Sequence, residues 1–278
     1  MTCAYNNLNR PKVLIVDDEP VVLESIRKVL EYLGMQPDFA EDVSSARRRI
    51  ADDGYAALIV DIMMPGEQGD ILLGEVISHS PGTPVVITSG YATVEMAFNN
   101  LREGAFEFLP KPFSFEELSA VAARLKRFTR LSDDVRRSAF HNNKTHRAQS
   151  SDRFCLGGHC WINLTAEKTV RIGVGSLVAL SVGRIVEIKL PFVGDQLNLG
   201  QYHSFLIDED GYEFFLRMPV SGRVVDVARL DSVGAEFIER VLSGLEPLVT
   251  IVPTDLENDL CNLIRCTYEP LSVNLLRQ

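Results

Sequence analysis

Between residues 12 and 128 the chain repeats one pattern five times: a short apolar run ending on polar residues, then a stretch with helical spacing. The runs are VLIV at 13–16, a stretch near Pro37–Ala40, ALIVD at 57–61, PVVIT at 84–88 and FEFL at 106–109. In the intervening VVLESIRKVLEYLG, Val22, Ile26, Val29, Leu30 and Leu33 form one stripe and Gly34 closes the helix. Strands apolar on both faces, each followed by a helix, demand a parallel sheet covered on both sides. The expected fold is α/β, a doubly wound (βα)5 layer whose site lies outside the carboxyl ends of its strands.

The residues at those ends share one chemistry. The first run leads into Asp17, Asp18 and Glu19, the third ends in Asp61, the fourth in Thr88 and Ser89, and the fifth leads to Lys111. Carboxylates crowded at one edge repel each other unless a cation sits among them. Oxygen donors with a partly open shell suit Mg2+. A carboxylate neutralised in this way can attack a phosphoryl group, while the hydroxyl and the ammonium meet the oxygens on which charge collects. One aspartate after a strand is commonly only a helix cap. Capping does not explain four such positions at successive strand ends.

VLIVDDEP, LIVDIMMPGEQG, VVITSGYA and FEFLPKPF resemble, in order, the signatures of the receiver domain of bacterial two-component response regulators. The resemblance covers nearly all of residues 12–128. It implies a flavodoxin-like fold with Asp61 as phosphoacceptor, fed by a histidine kinase or a phosphotransfer protein. It further implies Mg2+ held by Asp18 and Asp61 with the Met63 backbone carbonyl, and Asp17 acting through water. Lys111 would pair with the phosphoryl group, Thr88 would move to bond it, and Phe108 would turn inward as the aromatic switch. Lys111–Pro112 becomes a candidate cis peptide. The face built from the helix at 92–103, the strand at 106–109 and the helix from Ser114 would pass the signal on. No enzyme activity beyond self-catalysed phosphorylation and dephosphorylation at Asp61 is implied.

Charge divides the rest. Residues 1–120 hold 9 basic and 19 acidic groups (net −10), residues 121–153 hold 9 and 3 (net +6), and residues 154–278 hold 10 and 16 (net −6). Two acidic bodies flank a basic neck, so neither body offers a phosphate-neutralising face and no DNA binding is expected there. The neck leaves one alternative, a phosphorylation-controlled transcriptional regulator using Arg124, Lys126, Arg127, Arg130, Arg136 and Arg137. Leu118, Val121, Leu125 and Phe128 follow a 3-4-3 spacing and Val135 falls one heptad later, which leaves room for a longer helix and a homodimer. After Phe140 the text reads as a flexible linker. The expected organisation is a receiver at 10–128, a basic, partly helical linker at 129–153 and a β-rich domain at 154–278. MTCAYNNLNRPK has no signal-peptide core, and the uncharged IGVGSLVALSVG is too short to span a bilayer. With five unevenly spaced cysteines read as reduced thiols, this points to a cytoplasmic protein without membrane segments.

From His159 onward CWINLT, TVRIGVG, RIVEIKLP, YHSFLID, YEFFLRM and RVVDVA read as strands, with helical text around Val233–Leu242 and Asp255–Ile264. LIDEDGYEFFL is a hairpin about Asp208–Gly211. His159 and Trp161, IGV at 172–174, GRIVEIKLPFVGDQLNLGQ at 183–201 and PVSGRVVDVA at 219–228 resemble the H protein of the glycine cleavage system, a member of the lipoyl/biotinyl carrier fold. The resemblance implies a mostly-β barrel-sandwich over about residues 158–265. It breaks where that family keeps its lipoylated lysine, eight residues before the proline of Pro-Val-Ser-Gly. This chain has Gly211 there, and its last lysine is Lys189. Amide attachment needs a primary amine, so neither lipoate nor biotin is expected and the domain is read as binding an unidentified downstream protein. A remaining alternative is a metal-dependent output, with Cys155, His159, Cys160, Cys261 and Cys266 as candidate zinc ligands.

Overall fold

The computed structural model describes residues 10–52, 54–141, 153–229 and 235–266. The reading of the N-terminal twelve residues falls mostly outside this set, as does the linker after Phe140. Packing divides the chain into two compact units, one running through Ala92 and resuming over Ala105–Ser132, the other comprising Thr93–Gly104 and the chain from Asp133.

In chain order the first ten elements are β1 (Lys12–Val16), α1 (Pro20–Tyr32), β2 (Gln36–Ala40), α2 (Val43–Asp52), β3 (Ala57–Asp61), α3 (Asp70–His79), β4 (Val85–Ser89), α4 (Val94–Glu103), β5 (Glu107–Pro110) and α5 (Phe115–Thr129). The five strands form one sheet, β2-β1-β3-β4-β5, parallel throughout. Every residue of β3 and β4 is buried, as expected of strands covered on both faces. This is the flavodoxin-like fold expected from the alternating pattern. Local chemistry sets the helix ends. Pro20 starts α1 where its missing N–H costs nothing. Thr93 Oγ1 accepts from the Met96 N–H at the head of α4, and Ser114 with Glu117 forms a full capping box on α5. Gly34 and Gly104 end α1 and α4 at φ +76° and +111°, where a side chain would be strained.

The stripe Leu118, Val121, Leu125 and Phe128 is buried. It does not run on into a longer helix: α5 stops at Thr129, and Val135 belongs to a separate helix, α6 (Asp133–His141). The 3-4-3 spacing is met by packing within the first unit, including a 5.2 Å contact between the rings of Phe128 and Phe106.

The second unit is mostly β. It contains β6 (Arg153–Leu156), β7 (Cys160–Leu164), β8 (Val170–Val174), α7 (Ser176–Ser181), β9 (Ile185–Lys189), β10 (Gln196–Leu197), β11 (Tyr202–Asp208), β12 (Glu213–Arg217), β13 (Gly222–Val227), α8 (Ala235–Leu242), β14 (Val249–Pro253), α9 (Leu256–Leu260) and β15 (Ile264–Arg265). The strands make a seven-stranded sheet, β10-β13-β14-β8-β7-β6-β15, and a three-stranded sheet, β12-β11-β9. Both are antiparallel throughout. The hairpin at Asp208–Gly211 joins β11 to β12, with Gly211 N–H donating to the Asp208 carbonyl at 3.0 Å and Gly211 at φ +82°. The uncharged SLVALS is a fully buried short helix, α7. The helical text at 255–264 yields only five helical residues, because Ile264 and Arg265 pair with β6 instead.

Candidate functional site

β1, β3 and β4 end side by side, and the loop after β5 returns to the same edge. Asp61 is the last residue of β3, in register with Thr88 of β4. Asp17 follows β1, its N–H held by the Ala40 carbonyl at 3.1 Å. Lys111 follows β5 and donates its backbone N–H to the Ser89 carbonyl at 2.8 Å. Its bond to Pro112 is cis. Four loops thus converge, although their residues are up to 94 positions apart in sequence.

The centre of the site is one ammonium among carboxylates. Lys111 Nζ donates to Asp17 Oδ2 at 2.7 Å, to Asp61 Oδ2 at 2.8 Å and to Glu19 Oε1 at 3.3 Å. Asp17 and Asp61 are only 1% and 3% exposed, so the lysine neutralises acids that water barely reaches. Burial raises the Asp17 carboxyl above its ordinary range, and the bonds from Lys111 and the Glu19 N–H reduce that rise without cancelling it. Burial acts to lower the Lys111 ammonium, but the bonds to Asp17 and Asp61 outweigh it and leave the group raised.

Asp61 has its second oxygen fixed too: Met63 N–H donates to Oδ1 at 3.1 Å. Ile62 N–H reaches the Thr88 carbonyl at 3.0 Å, and Gly69 N–H the Ile62 carbonyl at 3.1 Å. The loop from 62 to 69 therefore folds tightly over the acid. A Cβ at Gly69 would lie 1.9 Å from the Asp61 carbonyl oxygen, so only glycine fits. Arg47 of α2 braces the same loop, binding Glu67 (2.5 and 2.7 Å) and Glu75 of α3 (2.7 Å). No sequence signal marked Arg47, since its partners are 20 and 28 residues away.

The acids at the site fit a hard divalent cation: Asp17, Glu19 and Asp61 offer oxygens within 4.8 Å of one another. This trio differs from the ligand set implied by resemblance. Asp18 is half-buried and lies outside it, while Glu19, named only as part of the acidic run, lies inside. Thr88 and Phe108 are both buried, and Phe108 already points into the core.

The zinc candidates are not brought together. Cys155 pairs with Cys266 in a disulfide rather than with Cys160, correcting both the four-residue pairing and the reduced-thiol reading. Cys160 is buried and free, its thiol pushed up to about 12 by desolvation, and Cys261 is exposed. Among the described residues, only the Asp17–Glu19–Asp61 set forms a potential metal-binding cluster. The basic neck changes as well. Arg124 is 3% exposed, paired with Glu107 at 2.7 Å and set over the Phe106 ring. Lys126 donates to the Leu33 carbonyl and Arg136 pairs with Asp133. Burial and its ion pair commit Arg124 to the fold.

Gly211, where the lysine of the resembled carrier would stand, lies at the hairpin tip, and a Cβ placed there would have nothing within 4 Å. No helix among the described residues is long and apolar enough to cross a membrane.

Residues 13–123 match the family described as "Response regulator receiver domain". The chain is 36% identical over 123 residues to a response regulator, MprA, of Mycobacterium ulcerans, covering 44% of this chain and 53% of that one. It is 32% identical over 154 residues to MprA of Mycobacterium leprae, covering 55% of this chain and 67% of that one. A solved receiver domain of the Francisella response regulator 1452 is 31% identical, with 44% of this chain and all of that chain covered and a TM-score of 0.41. The chain spans about half the length of the first curated relatives it matches. With acids, hydroxyl and lysine at the strand ends of a five-stranded parallel sheet, the chain belongs to the response regulators of two-component systems, and residues 13–123 are its receiver domain.

Proposed function

We infer that Asp61 is the phosphoacceptor of a phosphorelay and that its phosphorylation controls the β-rich unit as a protein-binding output. The observation carrying this reading is the position of Lys111 Nζ, within 2.8 Å of both Asp17 and Asp61. An ammonium there offsets the acids at rest and is already placed beside the oxygen that would gain phosphorus. In the step itself an Asp61 Oδ attacks phosphorus, the P–N bond of a histidine kinase or phosphotransfer protein breaks, and the donor imidazole leaves with the electron pair. Mg2+, when bound, supplies positive charge to the transferring oxygens. Asp17, Asp61 and the Met63 carbonyl are the proposed protein ligands, with Asp18 or Glu19 as the further acid. The Met63 N–H orients Asp61. Thr88 and Phe108 are proposed to move with the new charge, and the face of α4, β5 and α5 to pass it on.

The β-rich unit is proposed to be related to the H protein of glycine cleavage, with its carrier chemistry lost at Gly211. Its use would then be recognition of a downstream protein, in the cytoplasm, without lipoate or biotin. A pull-down with the full chain, with and without beryllofluoride, would identify that protein.

The central test uses acetyl phosphate and Mg2+ on the full chain. Intact mass should show one added phosphoryl group, dependent on Mg2+ and absent from Asp61→Asn. Undiminished labelling of that variant would remove the proposal.

A further inference from the structure

We propose that the Cys155–Cys266 bond is a reversible redox clasp on the β-rich unit, fixing β15 to the sheet when oxidised and releasing it when reduced. This goes beyond the phosphoacceptor reading and does not depend on it.

The backbone ladder of β15 is short. The strand has two residues and lies at the end of the seven-stranded sheet, where it pairs with β6. Its register is Ile264 against Cys155 and Arg265 against Phe154, followed by a Cys266 N–H to Arg153 carbonyl bond of 3.2 Å. A two-residue edge strand has too short a ladder to persist by pairing alone. The covalent bond crosses this junction, with its Cα atoms 6.2 Å apart, and joins residues 111 positions apart. Among the described residues it therefore closes the β-rich unit into one loop, from its first strand to its last.

Both sulfurs are buried and pack with Trp161, which stands opposite Cys155 on β7. Trp161 is the one tryptophan of the chain. The Arg153 guanidinium lies 4.2 Å above its ring. The three-residue cluster is thus both lock and reporter, because a disulfide beside an indole quenches its emission. Reshuffling to Cys160 is disfavoured, since burial keeps that thiol protonated. Release of β15 would leave β6 as the sheet edge, with unpaired N–H and C=O groups able to accept another strand.

The chemistry balances with a low-molecular-weight disulfide such as oxidised glutathione. Each of the two thiols loses a proton and an electron as the S–S bond forms. The glutathione S–S bond breaks and takes up both, giving two glutathione thiols. Reduced glutathione in excess reverses the exchange.

The full-length protein should be equilibrated, without denaturant, in glutathione buffers from oxidising to reducing, then denatured and alkylated. Cys155 and Cys266 should be protected from label on the oxidised side and labelled on the reduced side, reversibly. Peptide mapping should join Cys155 to Cys266. Hydrogen exchange over residues 153–156 should accelerate at least tenfold on reduction, with β3 at 57–61 unchanged. Trp161 emission should rise with reduction, and the Cys155→Ser/Cys266→Ser chain should not respond. Since that variant could fail to fold, the deciding data are those of the wild-type chain. Five labelled thiols on the oxidised side, a different pairing, a bond reduced only after denaturation, or equal exchange at 153–156 in both states would each overturn the proposal. Asp61→Asn should show the same redox response, which separates this test from that of phosphorylation.

Discussion

The two units solve the problem of bringing distant residues together in opposite ways. In the receiver, parallel strands point the same way, so the ends of β1, β3 and β4 and the loop after β5 meet without further devices. Asp17, Asp61, Thr88 and Lys111 are neighbours because the sheet is parallel. In the β-rich unit successive strands reverse, so strand ends scatter over two edges and chemistry gathers at few points. There a long-range meeting, Cys155 of β6 with Cys266 just after β15, is made by a covalent bond. A parallel sheet builds a site from topology, whereas an antiparallel one must build it residue by residue.

If this contrast is right, removing one charge should have unequal effects in the two units. Lys111→Ala should slow acetyl-phosphate labelling by about 10²–10³-fold, the usual loss when one preorganised group is taken from developing charge. Lys189, half-exposed and 3.4 Å from Glu213, is the control in the antiparallel unit. Lys189→Ala should leave the labelling rate unchanged. Equal losses would mean that Lys111 acts through general folding rather than through the site.

Added methyl groups test rigidity. At Gly69 a Cβ would meet the Asp61 backbone at 1.9 Å, and backbone cannot step aside. At Gly173 it would meet the Trp161 ring at 2.3 Å, which a side-chain shift can partly relieve. Gly173→Ala should cost about 1–3 kcal/mol in urea denaturation. Gly69→Ala should cost at least as much and also abolish labelling, since the loop over Asp61 must open. Retained labelling in Gly69→Ala would show that this loop is not tied to the acid.

The same contrast explains what the sequence could reveal. The receiver was legible because hydrophobic runs and strand-end polar residues are local signals, and parallel order turns them into a site. β1 to β5 lie within one or two residues of the expected runs. Glu19 was hidden among three consecutive acids, and only the bend that bonds its N–H to Asp17 at 2.9 Å selects it. Arg124 looked like a surface cation because its partner, Glu107, lies on another element. In the second unit the β11–β12 hairpin was readable from its acidic, glycine-closed tip. β14 and β15 were not, since they pair with β8 and β6, which lie far away in sequence. The disulfide was obscured by the four-residue spacing within each cysteine pair, which favoured the wrong partners.

Acid response should differ between wild type and Asp17→Asn. Burial raises the Asp17 carboxyl in the folded state, so the unfolded chain ionises first as pH rises from its ordinary value near 3.8. The contribution to stability is complete below that value and lost as pH passes the raised folded one. Without Mg2+, Asp17→Asn should therefore be more stable than wild type at neutral pH, with the gap closing in acid. Mg2+ should stabilise wild type more than the variant, because it supplies the charge that the ionised acid needs. A variant less stable than wild type at neutral pH, or a gap that widens in acid, would count against a destabilising ionised Asp17.

The smallest effect is expected at Gly211, where the proposed relation to a carrier fold can be probed directly. The position is open, since a Cβ placed there meets nothing within 4 Å. Its φ of +82° is the cost, on the order of 1 kcal/mol for a residue with a Cβ. Gly211→Lys should thus fold, with a slightly lower urea midpoint and unchanged labelling of Asp61. If the unit descends from a lipoyl carrier, the acidic turn around Asp208, whose Oδ1 accepts from the Asp210 and Tyr212 N–H groups, still presents that amine in a hairpin. A lipoate ligase should then attach lipoate to the variant and not to wild type. A stable Gly211→Lys chain that no ligase modifies would leave a β-hairpin without carrier ancestry, and the antiparallel unit would have to be understood from its clasp and its surfaces alone.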